Sequence, residues 1–285
     1  MPMPLPIRKT LLVYCSPAGS TAHVARVMRQ KIAALGMPAT MIDLGDTPDI
    51  DLVISQLFDA DNNICIYIGS PVYAAHPVPP VMEFIARLPR VEIGFSVPFV
   101  TWGAVTSGIA LHEMGTALAR KGFSILGAAK VLARHSMMWN VDAPLGVDHP
   151  NAGDDRMIET LIENMADKLR GNDPPAIALS VLDYQDKIVR AQMAQRSFEQ
   201  AKGHFPQKRI VRERCTLCGL CVEGCPVDAI RLSDAPEIAP VCICCFNCVR
   251  LCPEEAIVAD LKPIHDFIRA RAESVGEDKC TRIFI

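Results

Sequence analysis

Over residues 1–170, short apolar runs alternate with stretches whose apolar positions return at helical spacing. Lys9–Cys15 (KTLLVYC) predicts a buried strand, as do Asn63–Gly69, Val97–Trp102 and Phe123–Val131, with Ala39–Ile42 weaker. Thr21–Leu35 sets Val24, Val27, Met28, Ile32 and Leu35 on one helical face and meets a stop at Gly36. Pro80–Leu88, Leu111–Lys121 and Asp154–Leu169 predict further helices. Strands alternating with helices imply an α/β fold, a doubly wound parallel five-stranded sheet whose ligands sit beyond the carboxyl ends of its strands.

The pattern changes after the Gly171–Pro175 break. Leu179–Lys202 predicts one connecting helix with an apolar stripe at Ile188, Ala191, Met193, Ala194 and Phe198. A cysteine-rich segment, 206–262, follows this 171–205 linker, and 263–285 predicts a closing helix (Pro263–Glu273) and a tail without identifiable chemistry. A chain of 285 residues fits this two-domain reading. Its net charge of −3 argues against nucleic acid or an anionic membrane as partner. The longest apolar stretch, Phe95–Leu111, is broken by Pro98, Gly103, Gly108 and hydroxyl residues, so no membrane span is expected. The opening residues lack the apolar core of a signal peptide, and a cytoplasmic protein is expected.

Eight of the twelve cysteines fall in two runs: Cys215, Cys218, Cys221, Cys225-Pro226 and, 27 positions on, Cys242, Cys245, Cys248, Cys252-Pro253. This spacing matches the bacterial ferredoxin pattern for two [4Fe–4S] clusters, a small α+β module. In that pattern the fourth cysteine of each run ligates the other cluster. The resemblance therefore implies Cys215, Cys218, Cys221 and Cys252 for cluster 1, and Cys242, Cys245, Cys248 and Cys225 for cluster 2. Cys225-Pro-Val-Asp-Ala229-Ile230 echoes Cys252-Pro-Glu-Glu-Ala256-Ile257, which implies two similar halves about a pseudo-twofold axis. Structural zinc prefers two separated pairs of ligands, and disulfides need an oxidising compartment; both fit less well. Cys244 reads as a bystander, and Cys15, Cys65 and Cys280 as ordinary thiols.

Three predicted strand exits carry candidate chemistry. Ser16-Pro17-Ala18-Gly19-Ser20-Thr21 offers hydroxyls and free N–H groups at a helix start, which suits a phosphate; the alternative is that Ser20 or Thr21 simply caps the helix. No lysine follows the glycine, so it is not a nucleotide-triphosphate loop. This loop resembles the flavodoxin phosphate loop that holds FMN. Ser70-Pro71-Val72-Tyr73 resembles the flavodoxin loop that sets an aromatic ring against the flavin, and Thr101-Trp102-Gly103 stands where the third flavin loop begins. Ala18 departs from the pattern, where threonine is usual. The whole chain resembles flavodoxin–ferredoxin fusion proteins, and the resemblance implies FMN, two [4Fe–4S] clusters and electron transfer.

The expected function is thus passage of single electrons between clusters and FMN, linking a redox protein partner or reductase to an acceptor. Alternatives are an FMN-dependent reductase of a small molecule, with the clusters as electron supply, and an iron–sulfur docking module that has lost its flavin. No dinucleotide fingerprint occurs, so direct use of NAD(P)H is unsupported. A homo-oligomer is compatible with the sequence.

Overall fold

The computed structural model describes residues 9–46, 49–57, 63–171, 173–195 and 197–285. The opening peptide 1–8, Asn172 and Arg196 lie outside them. β1 (Lys9–Tyr14) is followed by α1 (Ser20–Ala34), β2 (Thr40–Asp43), α2 (Ile50–Leu57), β3 (Ile64–Tyr73), the short β4 (His76–Pro77), α3 (Pro79–Arg87) and β5 (Gly94–Trp102). α4 (Ala110–Arg120), β6 (Phe123–Ile125), β7 (Ala128–Leu132) and α5 (Ala152–Leu169) complete the first part. The parallel strands lie in the order β2-β1-β3-β5-β7, which is the flavodoxin-like arrangement.

Alternation along the strands divides the core in two. Leu11, Val13, Ile66 and Ile68 pack with Val81, Phe84, Met114 and Leu118 of α3 and α4. Leu12, Tyr67, Val97 and Val131 pack with Met28 and Ile32 of α1 and Ile158 and Leu161 of α5. The strand expected over Phe123–Val131 is interrupted at Leu126-Gly127. β6 pairs with the start of β5 and β7 with its end, so both occupy one lane. α2 was not anticipated from the sequence.

The connecting segment differs from expectation. Leu179–Lys202 is a single 3-10 turn (Leu179–Leu182), then α6 (Lys187–Ala194) and α7 (Phe198–Lys202). Two residues restart the helix: the Asp186 carboxylate accepts from the N–H groups of Ile188 and Val189, and Ser197 forms a capping box with Gln200. Met193 and Phe198 are buried, but Ile188 is 70% exposed, so the expected apolar stripe is divided.

The cysteine-rich part comprises β8 (Arg209–Ile210), α8 (Leu220–Glu223), β9 (Ile230–Leu232), β10 (Pro236–Ile238), α9 (Asn247–Leu251) and β11 (Ile257–Val258). The closing helix α10 (Lys262–Val275) leads to β12 (Arg282–Phe284), which pairs antiparallel with β7. The sheet therefore has a sixth lane, supplied by a tail that was expected to carry nothing. Glu277 explains its attachment. Its carboxylate takes Lys130 Nζ at 2.6 Å, the Ser107 N–H at 2.9 Å and the Thr106 hydroxyl at 2.8 Å. Burial pushes that carboxyl upward, yet Lys130 and the hydroxyl donors outweigh burial and hold it below the usual range. Among the described residues no helix is long and apolar enough to cross a membrane.

Candidate functional site

The carboxyl ends of β1, β3 and β5 open onto one cavity of about 1280 Å³. Ser16, Pro17, Ala18, Ser20 and Thr21 line it, with Pro71, Val72 and Tyr73, and with Thr101, Trp102 and Gly103. All three strand exits singled out in the sequence are thus brought together. Gly19 and Ser70 do not reach the wall. Gly19 has φ +90° and begins α1, its N–H bonded to the Ser16 carbonyl. Ser70 is fully buried, donating to the Pro71 carbonyl and accepting the Val78 N–H.

Neither Ser20 nor Thr21 caps α1. Ser16 Oγ accepts the Ala22 N–H at 2.9 Å, while Thr21 Oγ1 lies 2.8 Å from Thr101 Oγ1 and ties the first exit to the third. This leaves the first turn of α1, where N–H groups lack intrahelical partners, facing the cavity with Ser20. The buried Trp102 indole N–H has no hydrogen-bond partner among the described residues. An orphaned donor in the wall of a cleft fits a ligand rich in acceptors. Gly103 is required by packing, since a Cβ there would meet the His135 backbone at 2.8 Å. Burial, and then His265, push His135 down to about 4, so this cavity-lining ring is neutral near pH 7.

The cavity continues past the sheet. Gln192 and Met193 of α6, Gln200 of α7, and Phe267 and Arg271 of α10 form its far wall, with Arg134 and His135 after β7. Sequence reasoning missed this wall. No motif marks it, because it exists only once the connecting segment and α10 fold across the strand exits.

The cysteines separate into two groups. Cys215, Cys218, Cys221 and Cys252 line one small cavity with Leu217, Leu220, Leu232 and Ile257, and Cys225 is not among them. Cys225 instead is close enough to Cys245 and Cys248 for its charge to be felt by both, as is that of Cys242. This grouping parallels the crossed assignment that the resemblance implies. Matching N–H···S bonds of 3.2 Å run from Ala229 to Cys225 and from Ala256 to Cys252. Left-handed backbone repeats as well: Leu217 and Cys244, Gly219 and Phe246, Asp228 and Glu255 all have positive φ at equivalent positions. Among the described residues no three Cys, His, Asp or Glu side chains converge closely enough to hold a single metal ion.

The second group lies against the cleft. Cys244 lines the large cavity, and Phe246 and Cys244 pack with Met137 and Met138. Tyr73 is raised well above its usual range by burial first and by Cys245 next. Lys208 Nζ stands 3.6 Å from Cys242 Sγ and 4.3 Å from the Phe246 ring centroid.

Residues 208–231 match the family description of a 4Fe-4S binding domain. The chain is a flavodoxin-like sheet joined to a ferredoxin-type iron–sulfur module. A curated relative is the methylamine utilization ferredoxin-type protein MauM of Methylorubrum extorquens, 33% identical over 79 residues, which cover 23% of this chain and 36% of the relative. The chain thus spans about a third of that relative's length. Among solved structures, rubredoxin:oxygen oxidoreductase of Desulfovibrio gigas aligns with 20% identity and a TM-score of 0.47, over 58% of this chain and 37% of that one. An archaeal flavodoxin aligns with 18% identity and a TM-score of 0.42, over 57% of this chain and 99% of that one. Flavodoxin 1 of Bacillus cereus aligns with 14% identity and a TM-score of 0.43, over 56% and 97% of the respective chains.

Four cysteines stand outside the two runs. Cys15 and Cys65 are fully buried in strand runs, their thiols pushed up by burial, and Cys280 is exposed. Cys244 is the fourth. It occupies a left-handed position between the two compartments, and its N–H bonds to Cys242 Sγ at 3.4 Å.

Proposed function

We propose that the protein passes single electrons between two [4Fe–4S] clusters and FMN, linking a redox protein to an acceptor. The observation that carries this reading is that the helix bearing Cys248 meets the cleft formed by three strand exits of the flavodoxin-like sheet: Arg250 donates to the carbonyl of Pro17, a lining residue, and Cys244, beside Cys245, lines the same cleft. FMN, when bound, supplies the conversion between one- and two-electron chemistry. Ser20 and the first N–H groups of α1 would hold its phosphate; Tyr73 and Trp102 would flank its ring and exclude water. The cysteine sets would hold cluster 1 (Cys215, Cys218, Cys221, Cys252) and cluster 2 (Cys242, Cys245, Cys248, Cys225). The apolar neighbours Ile230 and Ile257 limit water access to them.

The test is an anaerobic inventory of iron, acid-labile sulfide and released flavin, then stopped-flow absorbance. The reading expects about eight irons and one FMN per chain, and flavin bleaching on cluster reduction at a rate independent of protein concentration. Full loading without intramolecular flavin reduction overturns it.

A second reading, an FMN-dependent reductase of a small molecule, is favoured by the extent of the cavity. Its 1280 Å³ exceeds the roughly 300–1,000 Å³ common for small-molecule pockets. Substrate-dependent flavin reoxidation in the absence of any carrier protein would support that version.

A further inference from the structure

The two cysteine sets repeat one another in sequence and backbone, but their surroundings are unlike. We propose that the clusters are fixed in series. The set Cys242, Cys245, Cys248 and Cys225 holds the inner cluster, the flavin's immediate exchange partner, and the set Cys215, Cys218, Cys221 and Cys252 holds the outer cluster, the port to solvent. This rests on the function proposed above.

Four observations carry the order. First, α9, which contains Cys248, reaches the phosphate loop directly: Arg250 Nη2 donates to the Pro17 carbonyl at 2.9 Å. The same guanidinium bonds Asn247 Oδ1, and Asn247 Nδ2 donates to the Gly224 carbonyl at 2.6 Å, beside Cys225. A hydrogen-bonded chain therefore runs from the inner set to the loop. Second, Pro226, next to Cys225, abuts the exit of β2, where a Cβ on Gly45 would come within 3.1 Å of it. Third, of the two residues flanking Cys245, Cys244 lines the cleft and Phe246 packs against Met137, which lines it too. Fourth, the cavity of the outer set is walled, among the described residues, by positions within 215–257 and by none of the large sheet. Cys218 is exposed there, beside Leu217 and Leu220, which are 47% and 42% exposed.

Electron tunnelling weakens exponentially with distance, so this order of contact decides the route. One cluster is oxidised as its neighbour is reduced; no bond breaks and no proton is needed at either cubane. Arg250 acts as a positioning residue, holding the inner set to the flavin loop. The cation of Lys208, 3.6 Å from Cys242 Sγ, distinguishes the inner cluster further by stabilising its reduced, more negative form.

Phosphorus NMR of bound FMN in the photoreduced holoprotein tests the order, because a paramagnetic reduced cluster broadens a nearby phosphate line. Removing the outer cluster (Cys215→Ala with Cys218→Ala) is expected to leave the broadening; removing the inner one (Cys245→Ala with Cys248→Ala) is expected to abolish it. Each variant should fall to about four irons. Broadening lost in the outer variant and kept in the inner one, or affected equally by both, overturns the order. If either double variant loses all iron, Lys208→Gln decides with every ligand in place. The potential at which broadening sets in should then move downward, and an unmoved onset overturns the order. Arg250→Gln should weaken FMN binding and narrow the line, with Arg250→Lys partly restoring both; an unchanged Arg250→Gln line removes Arg250 from the account. An inventory short of one FMN or of eight irons in the unmodified chain instead overturns the proposed function, and the cluster order with it.

Discussion

The sheet half and the cysteine half of this chain are held together by different means. The sheet buries two continuous apolar layers, with Leu12, Val13, Ile66, Ile68, Phe84 and Phe99 fully enclosed. The cysteine half has a small core in which Ala229, Ile230 and Ile257 sit among the thiols themselves. Its strands are two or three residues long, and six of its residues have positive φ, five of them other than glycine. Left-handed backbone costs about 1–2 kcal/mol for each such residue. A module of about fifty residues with so little apolar burial cannot offset that cost alone. Its ligands must complete it. In the proposed function the sheet supplies its own stability and lends its edge to a cofactor, whereas the cysteine half takes its stability from one.

The largest expected effect follows directly. Removing iron with an anaerobic chelator should abolish amide-exchange protection over 208–258 while β1, β3 and β5 keep theirs, because metal binding and folding are linked in the first region only. Retained protection in the iron-free cysteine half would erase the distinction.

The tail offers the next test, since it fastens the sheet from outside. Lys130 and Glu277 are both nearly buried, and Lys130 also lies 4.9 Å from the Trp102 ring centroid. Glu277→Ala leaves Lys130 charged and enclosed, and is expected to cost about 3–5 kcal/mol. Lys130→Met with Glu277→Leu should recover most of it, as read by urea unfolding. Because the folded carboxyl is held low, its contribution is present above the unfolded value of 4.5 and is lost as pH falls below that.

His135 gives a smaller effect of the same sign. Burial lowers its pKa from 6.5 to about 4. Between those values the unfolded chain takes up a proton that the folded protein refuses, so stability falls as pH drops through the window. The span bounds the loss at about 3 kcal/mol. His135→Asn should flatten the urea midpoint between pH 6.5 and 4; an unaltered slope would show that the ring is solvated.

What the sequence disclosed follows the same division. Apolar periodicity located the strands and long helices of the sheet because burial there is local to each element. Cysteine spacing disclosed the 4Fe-4S binding region because a cube draws most of its donors from one short run. Features depending on distant segments stayed hidden. Glu277 is one acid in a polar tail, and only the return of β12 beside β7 sets it against Lys130. Arg250 looks like any exposed helix residue until α9 meets Pro17. The connecting helix failed for a local reason: Asp186 and Ser197 are strong caps, and the apolar stripe concealed the two restarts they impose.

The smallest effect bears on the loop where the two halves meet. Ala18 lines the cleft where flavodoxins carry threonine, while Ser16 Oγ is engaged with Ala22 and Thr21 Oγ1 with Thr101. Two of the loop's three hydroxyls therefore serve the protein, leaving Ser20 and the N–H groups of α1 for a phosphate. Ala18→Thr adds one donor to that set. A charge-assisted hydrogen bond is worth about 1.5 kcal/mol at the low end, so FMN should bind about tenfold more tightly by fluorescence titration. Its two-fold consequence separates the halves again: flavin affinity rises, while the chelator sensitivity of 208–258 stays as it was. An affinity unchanged by the new hydroxyl would mean that the backbone at the start of α1 already satisfies the phosphate, with Arg250 steadying the loop from the cluster side.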